Sequence, residues 1–545
     1  MPTVDLPTKS DFVIIGGGTA GLVVACRLSE NPELKVIVLE SGTDATTDPR
    51  VRDPQLWRLA SSDLNWRMKI EPQPGLDNRE QDYPTGKVLG GCSSINGLIY
   101  LPPSPSGIDA WAKLGNPSWT WESLLPYIQK SFTATPPKHE RQIRDTLTNA
   151  AASESIKVTY PALTDKASEP LIKAWHQAFM DKGYEHDLEI IPRNKVVGTR
   201  DYTATIDPQS ALRSSADNEY GAIAASRSNV TIITNATAER ILFEHSSASP
   251  IATAVELMHS GERYLLKAKK EVILAAGAMH TPKILELSGV GDRHLLNDLR
   301  IPVIRDLPGV GENFQTHLMS INTFQLKASD DLQDLKPDMK AFAFTRLSSE
   351  ESSYLFSAHQ PDGKAEQVIK SILQNPENAS ACFIMGVLPG NKATVAAISC
   401  FPFSRGSSHI YSQNPEDLPI IDAGLAVKEL DIEILARHIR DLCQVVSVEP
   451  LSAFFEVDAM QLDLEGIKNR IRGMGSITHH ACGTTAMLPQ VDGGVVDEQL
   501  KVYGIENLRI VDASIFPLIP HANPISTVYA VAERAADLIR GHQLN

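Results

Sequence analysis

Two segments near opposite ends of the chain hold residue types that could bind a cofactor and move a proton. Near the amino terminus an apolar, β-branched run over residues 11–15 leads into glycines at positions 16, 18 and 21. Near the carboxyl terminus lie His480 and, farther on, Asn523 followed by a proline. A glycine turn at a helix start can approach a phosphate closely, and an imidazole can accept a proton near neutral pH. These segments are candidates for two halves of one site.

The amino-terminal segment has the order of a dinucleotide-binding βαβ unit. After the glycines comes a helix with an apolar face, and then a second apolar strand, Val36–Leu39, which ends at Glu40. The N–H groups at such a helix start bind a pyrophosphate, and an acid about 20 residues past the glycines accepts hydrogen bonds from a ribose. The alternative is a βαβ unit with a purely structural role.

Three further segments, together with this unit, resemble the glucose-methanol-choline (GMC) oxidoreductase family of FAD enzymes that oxidise alcohols. They are Gly86–Asn96, Gly277–Gly291 and the block from His480 through Asp512 to Asn523. One departure is Cys92, at a position that is more often Ser, Gly or Thr in the family. The resemblance covers the FAD-binding parts along the whole chain, and it is looser in the segments between them.

The resemblance implies an FAD site built from all four blocks. In the family, Asp512 contacts the ribityl or phosphate region, and the helix that begins near Pro524 points its positive end at the flavin pyrimidine. FAD is expected to bind noncovalently, because Ile95 stands where some members carry the histidine that attaches the flavin. The implied cofactor-binding residues are Gly16, Gly18, Thr19, Ala20, Gly21, Glu40, Ser41, Trp66, Val88, Gly91, Cys92, Asn96, Gly97, Ala238, Asp512, Ala513, Pro524 and Ile525.

The catalytic pair implied by the resemblance is His480 and Asn523. His480 fits the base that takes a hydroxyl proton, and Asn523 fits the donor that fixes the substrate oxygen. Family members carry His–His or His–Asn at these positions, and this chain has the His–Asn version. For the neighbouring His479 and His521 a supporting role is favoured over a catalytic one, with His479 pointing away from His480 if the segment is extended.

The predicted reaction is oxidation of a primary alcohol to an aldehyde. His480 removes the hydroxyl proton, hydride passes to flavin N5, and oxygen or another electron acceptor reoxidises the flavin. The alternative is a non-redox lyase or cyclase that keeps FAD as a structural part and uses His480 for acid–base chemistry, and fold resemblance does not separate the two. A noncatalytic flavin-binding protein is disfavoured, because it gives no reason for the polar pair.

An aromatic or furanic alcohol is favoured by rings in the segment that would bind substrate. Phe342 and Phe344 alternate, as do Tyr354 and Phe356, and the four are expected to form a strand pair that lines an apolar pocket. Phe401 and Phe403 are two apart in the same way. A place in the core is the alternative for each ring.

The predicted fold is α/β, with a Rossmann-like FAD-binding domain of the GMC type and a substrate-binding domain built on an antiparallel sheet covered by helices. The FAD-binding domain is expected to comprise residues 1–160, 215–317 and 477–545, and the substrate-binding domain residues 161–214 and 318–476. Two helices are predicted in detail: Glu429–Val446 is amphipathic, and a second begins with Thr281 as N-cap and Pro282 at its first position.

The composition fits this prediction and excludes several partners. A chain of 545 residues is long enough for two domains, and its net charge of −15 opposes binding to nucleic acid. No apolar run is long enough to span a membrane. The first ten residues lack an apolar leader, so a cytoplasmic location is expected, or a secreted one if a leader was removed. The six cysteines are expected to be free thiols without a metal, and the oligomeric state is not predicted.

Overall fold

The computed structural model describes residues 6–56, 63–137, 154–245, 249–327, 334–456 and 463–543. Its strands are β1 (Lys9–Ile15), β2 (Val36–Leu39), β3 (Met68–Gln73), β4 (Arg79–Tyr83), β5 (Phe132–Thr135), β6 (Ile156–Thr159), β7 (Gly198–Asp201), β8 (Val230–Ile233), β9 (Ala236–His245), β10 (Pro250–His259), β11 (Glu262–Leu274), β12 (Val290–Gly291), β13 (Arg305–Asp306), β14 (Leu318–Leu326), β15 (Met339–Thr345), β16 (Ala381–Leu388), β17 (Lys392–Ser399), β18 (Ser407–His409), β19 (Ile420–Asp422), β20 (Phe455–Glu456), β21 (Ser476–Ile477) and β22 (Leu508–Ile510).

The α-helices vary from single turns to a long carboxyl-terminal helix. They are α1 (Thr19–Leu28), α2 (Pro49–Arg52), α3 (Cys92–Ile95), α4 (Pro105–Lys113), α5 (Trp121–Ser131), α6 (Glu169–Met180), α7 (Ala222–Ser226), α8 (Gly277–Leu287), α9 (Arg293–Asp298), α10 (Ser349–Ala358), α11 (Lys364–Gln374), α12 (Glu429–Val446), α13 (Leu464–Met474) and α14 (Ile525–Gln543). Among the described residues, no helix combines the length and apolar character needed to cross a bilayer.

The first sheet is a parallel sheet with an antiparallel extension. Its parallel strands lie in the order β8-β2-β1-β11-β22, and the first half of the long β11 also pairs with β10, which pairs with β9. The strands β1 and β2 contain Phe, Val, Ile and Leu residues that are almost all buried, because helices cover a parallel sheet on both faces. Helix α14 packs on α1 and on α5. This half has the predicted Rossmann-like form.

The second sheet is antiparallel, as predicted. Its strands lie in the order β20-β14-β17-β16-β15-β7, with β21 also paired to β14. Helix α12 packs on β17, and α6 packs on β15 and β7. The amphipathic pattern predicted α12 with its observed ends. The fold class is therefore confirmed, whereas the residue boundaries of the two domains stay a prediction.

Two local predictions were wrong. Helix α8 begins at Gly277, so Thr281 and Pro282 lie inside it. Proline has no N–H to donate to the carbonyl four residues earlier, and the Thr484 hydroxyl donates to that Ala278 oxygen instead. Because the side chain that satisfies the carbonyl comes from a distant segment, the helix continues through the proline.

The predicted strand pair of aromatic residues is the second error. Phe342 and Phe344 are on β15, but Tyr354 and Phe356 are on helix α10. A spacing of two residues places both rings on the same face of a strand. In the helix the two rings point to different sides, so Phe356 is buried while Tyr354 is 69% exposed. Tertiary packing therefore overrides the strand pattern here.

Candidate active site

A cavity of about 520 Å³ opens at the carboxyl ends of β1, β2 and β11, and the start of α14 forms another part of its wall. Ligands of open parallel sheets bind at this edge, because the helix starts and the loops converge there. The volume lies in the usual range for small-molecule and cofactor sites.

The cavity brings together almost all the residues predicted from the sequence. Both members of the predicted catalytic pair, His480 and Asn523, line it, and so do these predicted cofactor-binding residues: Gly16, Gly18, Thr19, Ala20, Glu40, Ser41, Trp66, Gly91, Cys92, Asn96, Gly97, Ala238, Asp512, Ala513, Pro524 and Ile525.

Gly21 and Val88 are the two predicted residues that lie outside the wall. A Cβ atom on Gly21 would lie 2.0 Å from the Gly16 oxygen, so this glycine permits α1 to pack closely on the end of β1. Val88 is fully buried in a small apolar cluster, and its carbonyl accepts a hydrogen bond from the Gly91 N–H. Both residues shape the backbone behind the cavity rather than its surface.

Two glycine segments meet at the start of α1. Gly91 has φ +55°, and a Cβ atom there would lie 2.9 Å from the Gly18 Cα. Gly18 is the N-cap of α1 and has no side chain to accept from the helix, and the first turn contains no acidic residue. The N–H groups of this turn are therefore available to an anionic group such as a pyrophosphate.

Glu40 lies at the end of β2 with its carboxylate held by backbone. One oxygen accepts from the Gly17 N–H at 2.9 Å and the other from the Gly42 N–H at 2.7 Å. Burial raises the pKa of Glu40 to about 7. Each carboxylate oxygen can accept more than one hydrogen bond, so the predicted contact to a ribose is compatible with these bonds.

Asn96 is oriented by a buried arginine that the sequence did not single out. The Asn96 Oδ1 accepts from Arg213 Nη1 at 2.7 Å and from the Leu98 N–H at 3.0 Å. The Arg213 guanidinium also donates to backbone oxygens of Val51 and Ser93. The oxygen of Asn96 is thus committed, and its Nδ2 is the group left to donate to a cofactor.

Asp512 joins the end of β22 to the start of α8. Its Oδ2 accepts from the Gly277 N–H at 2.9 Å and from the Thr281 hydroxyl at 2.6 Å, and its Oδ1 accepts from the Ser514 N–H at 2.7 Å. Burial raises the pKa of Asp512. The carboxylate therefore fixes the wall at this point, and it also borders the cavity.

Another part of the wall contains the predicted Trp66 together with His280 and Lys87. The rings of Trp66 and His280 have centroids 4.2 Å apart, and the Lys87 ammonium lies 4.4 Å from the Trp66 ring centroid. His280 Nε2 has no hydrogen-bond partner among the described residues, and burial lowers the pKa of this imidazole to about 3. A buried polar atom of this kind at a cavity wall fits contact with a bound group.

The predicted catalytic pair is assembled from two segments that are 43 residues apart in sequence. Asn523 Nδ2 lies 3.1 Å from His480 Nε2, and both side chains border the cavity. Asn523 immediately precedes Pro524, whose carbonyl accepts the first hydrogen bond of α14 from Val528. The start of α14 therefore holds the amide against the imidazole.

His317 is a neighbour of this pair that sequence reasoning missed. It is fully buried directly before β14, and its Nδ1 lies 2.8 Å from the Nδ1 of His480. No spacing or motif linked His317 to His480 in the sequence, because the contact depends on pairing of the two backbone segments. Gln315 and Cys482 exchange two backbone hydrogen bonds and so bring the histidines together.

The surroundings of His480 keep its imidazole neutral. Burial lowers the pKa of His480 well below its usual value of 6.5, and the nearby imidazoles of His317 and His479 lower it further. Among the described residues, no carboxylate makes a hydrogen bond to the ring. At neutral pH the side chain therefore has a vacant nitrogen that can accept a proton.

The other residues near the pair have supporting positions. His479 has φ +62° and so is not in an extended segment; it lines the cavity, with Nε2 3.4 Å from the Asp82 carbonyl. His521 is buried, with its ring centroid 5.1 Å from that of Phe344, and it is not part of the wall. Burial raises the pKa of Cys482, so this thiol is not an activated nucleophile.

The six aromatic side chains singled out in the substrate-binding segment do not border the cavity. Phe342, Phe344, Phe356, Phe401 and Phe403 are buried in the core, and Tyr354 is exposed. Aromatic rings in that segment therefore do not support an aromatic substrate.

Away from the cavity, a group of possible metal ligands is formed by His176, His186 and Asp201. The two Nε2 atoms lie 3.1 and 3.3 Å from the two Asp201 oxygens. The imidazole rings are stacked with centroids 3.8 Å apart and an angle of 15° between their planes. Nitrogen lone pairs lie in the ring plane, so two nearly parallel rings do not direct them at one ion.

All six cysteines are free thiols, as predicted.

Comparison with known proteins agrees with this geometry. Sequence models of the GMC oxidoreductase family match residues 10–319 and 402–532. A GMC oxidoreductase family protein of Malassezia sympodialis is 34% identical, over 99% of this chain and 94% of its own length. An FAD-dependent oxidoreductase from Chaetomium thermophilum superposes with a TM-score of 0.88 at 28% identity, over 98% of this chain and 99% of its own. A fungal aryl-alcohol oxidase has a TM-score of 0.86 at 28% identity, over 99% of this chain and all of its own.

Proposed function

Because this chain belongs to the GMC oxidoreductase family, we propose that it oxidises a primary alcohol to an aldehyde, with His480 as the base and Asn523 as the donor to the substrate oxygen. The family makes it an FAD-dependent oxidoreductase that acts on CH–OH donors. The observation that carries the residue assignment is the His480–Asn523 contact of 3.1 Å at the cavity wall.

The cavity suits FAD in its donors and in its shape. The uncapped start of α1 and the close glycines 18 and 91 can hold a pyrophosphate, and Glu40 lies where a ribose would follow. Asn96, whose Oδ1 is held by Arg213, and His280 also line the cavity. When bound, FAD supplies the acceptor for the two electrons and the hydrogen that leave the substrate carbon.

The protein residues supply the proton transfer and the orientation. His480 Nε2 takes the hydroxyl proton as the carbon–oxygen double bond forms, and its neutral state at pH 7 leaves that nitrogen vacant. Asn523 Nδ2 is held beside this nitrogen and donates to the substrate oxygen. The start of α14 contributes further N–H groups toward the same side of the cavity.

We favour a neutral alcohol, and an aromatic one is supported by similarity to an aryl-alcohol oxidase. Among the described residues, four carboxyl groups lie at the wall: Glu40 and Asp512 are held by backbone N–H groups, Glu239 accepts from Arg263 at 2.9 Å, and Glu416 is the fourth. The proposal includes noncovalent attachment of FAD, because Ile95 is an apolar residue packed in a cluster with Val88. Oxygen or another electron acceptor completes the cycle.

An anaerobic absorption titration tests the proposal. Purified protein is mixed with primary alcohols, benzylic ones first, and bleaching of the flavin band is expected. The rate at which colour returns in air separates oxygen from another acceptor, and release of yellow flavin on acid precipitation shows noncovalent attachment. Flavin that dithionite reduces but that no alcohol bleaches would contradict alcohol oxidation and favour a lyase or cyclase.

A further inference from the structure

The hydrogen bonds of His317 determine where its proton lies. Its Nε2 is 3.1 Å from the carbonyl oxygen of Cys400 and 3.0 Å from that of Pro520. A carbonyl oxygen only accepts hydrogen bonds, so His317 Nε2 must carry a hydrogen and donate it.

The other nitrogen of His317 is then an acceptor. The side chain is fully buried, and burial lowers the pKa of His317 to about 4. A neutral imidazole has one N–H, and that hydrogen is on Nε2. His317 Nδ1 therefore presents a lone pair to the atom 2.8 Å away, which is His480 Nδ1.

The same reasoning fixes the proton on His480. Two imidazole nitrogens 2.8 Å apart need one hydrogen between them, and His317 cannot supply it, so His480 Nδ1 carries it. His480 Nε2 is then the unprotonated nitrogen, and Asn523 Nδ2 donates to it at 3.1 Å. With these assignments, every hydrogen bond in the series from Asn523 through His480 and His317 to the two carbonyls has one donor and one acceptor.

We propose that His317 is a positioning residue that holds His480 in the Nδ1–H form and so keeps its Nε2, at the cavity wall beside Asn523, unprotonated and able to accept the substrate proton. The rings are edge-on, with an angle of 87° between their planes and centroids 5.1 Å apart, so His317 also restrains rotation of the His480 ring. The inference rests on the proposed function for the role of Nε2 as base, but the position of the proton does not.

The backbone keeps the two histidines in this register. Thr478 Oγ1 donates to the His317 carbonyl at 3.1 Å, and the His480 N–H donates to Thr316 Oγ1 at 3.3 Å. Leu318 at the start of β14 pairs with Ile477 on β21. Among the described residues, the other imidazoles near the pair are those of His479 and His521, and burial lowers the pKa of both, so neither adds a charge at neutral pH. Tyr83, Cys400 and Cys482 are also close, and burial raises the pKa of each, so they too are neutral.

The series of hydrogen bonds from Asn523 through His480 and His317 to the two carbonyls differs from a histidine paired with a carboxylate. Its far end consists of two uncharged carbonyl oxygens, so the chain orients His480 without the full charge of an aspartate to stabilise the imidazolium. When His480 Nε2 accepts the substrate proton, that proton stays on His480, and His317 Nδ1 still accepts from the His480 Nδ1–H. Orientation and tautomer are therefore the main effects expected of His317.

The direct test is ¹⁵N NMR of the holoprotein labelled at histidine, with the His480 signals identified by their loss in His480→Gln. We expect His480 to show a protonated Nδ1 and an unprotonated, pyridine-type Nε2 at pH 7.5. A protonated Nε2 on His480 would overturn the inference. This result does not depend on turnover, so if no alcohol reduces the flavin, the proposed function fails while the proton assignment is still tested.

Variants of His317 test its effect on the chemistry. His317→Leu should slow flavin reduction roughly 10- to 1000-fold, with little change in the alcohol concentration at half saturation; a wrongly held tautomer in the Ser-His-Asp triad costs about 10⁴-fold. His317→Asn should recover most of the rate, because its Oδ1 can accept from His480 Nδ1. Equal rates in wild type and His317→Leu would refute the positioning role, and so would failure of Asn to exceed Leu.

A matched control is available on α12. His438 is also buried between two polar partners, with its Nδ1 3.0 Å from Thr345 Oγ1 and its Nε2 2.7 Å from Ser380 Oγ, and burial lowers its pKa to about 4. His438→Leu should lose stability as His317→Leu does, yet reduce its flavin at the wild-type rate. If the control slowed reduction as much, the effect of His317→Leu would be general destabilisation and the inference would fail. If His317→Leu does not fold, His317→Asn and the NMR spectrum of the wild type decide.

Discussion

Replacement of His480 by glutamine should remove the base while its surroundings are retained. Alanine would leave His317 Nδ1 without its partner at 2.8 Å, and a buried polar atom left unpaired costs about 1–3 kcal/mol of folding free energy. Glutamine is similar in length to histidine and can still bond to Asn523, which lies 3.1 Å from the imidazole in the wild type. His480→Gln is therefore expected to fold and to keep its flavin.

The expected loss of rate is that of a missing general base. Proton transfer by a positioned side chain contributes roughly 10²- to 10⁴-fold, which corresponds to about 3–5 kcal/mol of activation free energy. Flavin reduction by a saturating alcohol in anaerobic stopped flow should slow by that factor. His479→Gln is the matched control, because it alters an adjacent imidazole at the cavity wall, and it should slow reduction less than tenfold.

The pH dependence supplies a second check with a definite sign. The pKa of His480 is lowered well below 6.5, and the base acts only when deprotonated. The rate should therefore stay level from pH 8 down to about 6.5 and fall only at lower pH, as the imidazole takes a proton before the substrate can supply one. A rate for His480→Gln within tenfold of wild type, or an equal loss in His479→Gln, would refute the assignment of His480 as base.

Three further perturbations follow from other contacts. Asn523→Ala should slow flavin reduction less than His480→Gln does, because it removes a donor 3.1 Å from His480 rather than the proposed base itself. An unchanged rate in stopped flow would leave Asn523 with no role beyond the helix start. Gly91→Ala should weaken FAD binding at least about tenfold in a fluorescence titration of the apoprotein. The reason is that Gly91 has φ +55° and that the new Cβ would lie 2.9 Å from the Gly18 Cα. Unchanged affinity would show that FAD binding does not need the close approach of these two loops. Arg27→Met should lower the free energy of unfolding in urea by about 3–5 kcal/mol, because it removes the guanidinium that lies 2.8 Å from the fully buried Glu533 on α14. Lys130 also lies 2.8 Å from the Glu533 carboxylate. An unfolding midpoint equal to that of wild type would show that Lys130 compensates for the loss.

The sequence by itself determined the parts of the site that depend on local backbone geometry. The turn after β1 needs glycine wherever the helix packs on the strand or the chain approaches a cofactor, and strand, helix, strand and Glu40 follow at short, fixed intervals. The sequence also indicated α12, because a helix of that length with one apolar face has a clear period. Patterns of this kind are readable since each residue's partners lie within a few turns of the chain.

Tertiary structure decided whatever depends on the approach of distant segments. Thr484 donates a hydrogen bond to the Ala278 carbonyl on α8, so the helix begins at Gly277 and not at the position that Thr281 and Pro282 predicted. Phe342 and Phe344 on β15 and Phe356 on α10 are buried in the core, whereas Tyr354 on the same helix is exposed, a difference that spacing alone does not decide. His317 reaches His480 through backbone pairing between segments more than 160 residues apart, and its two carbonyl partners come from still other segments. The sequence around His317 does not indicate those partners, so the orientation of His480, the proposed base, could be inferred only from the folded structure.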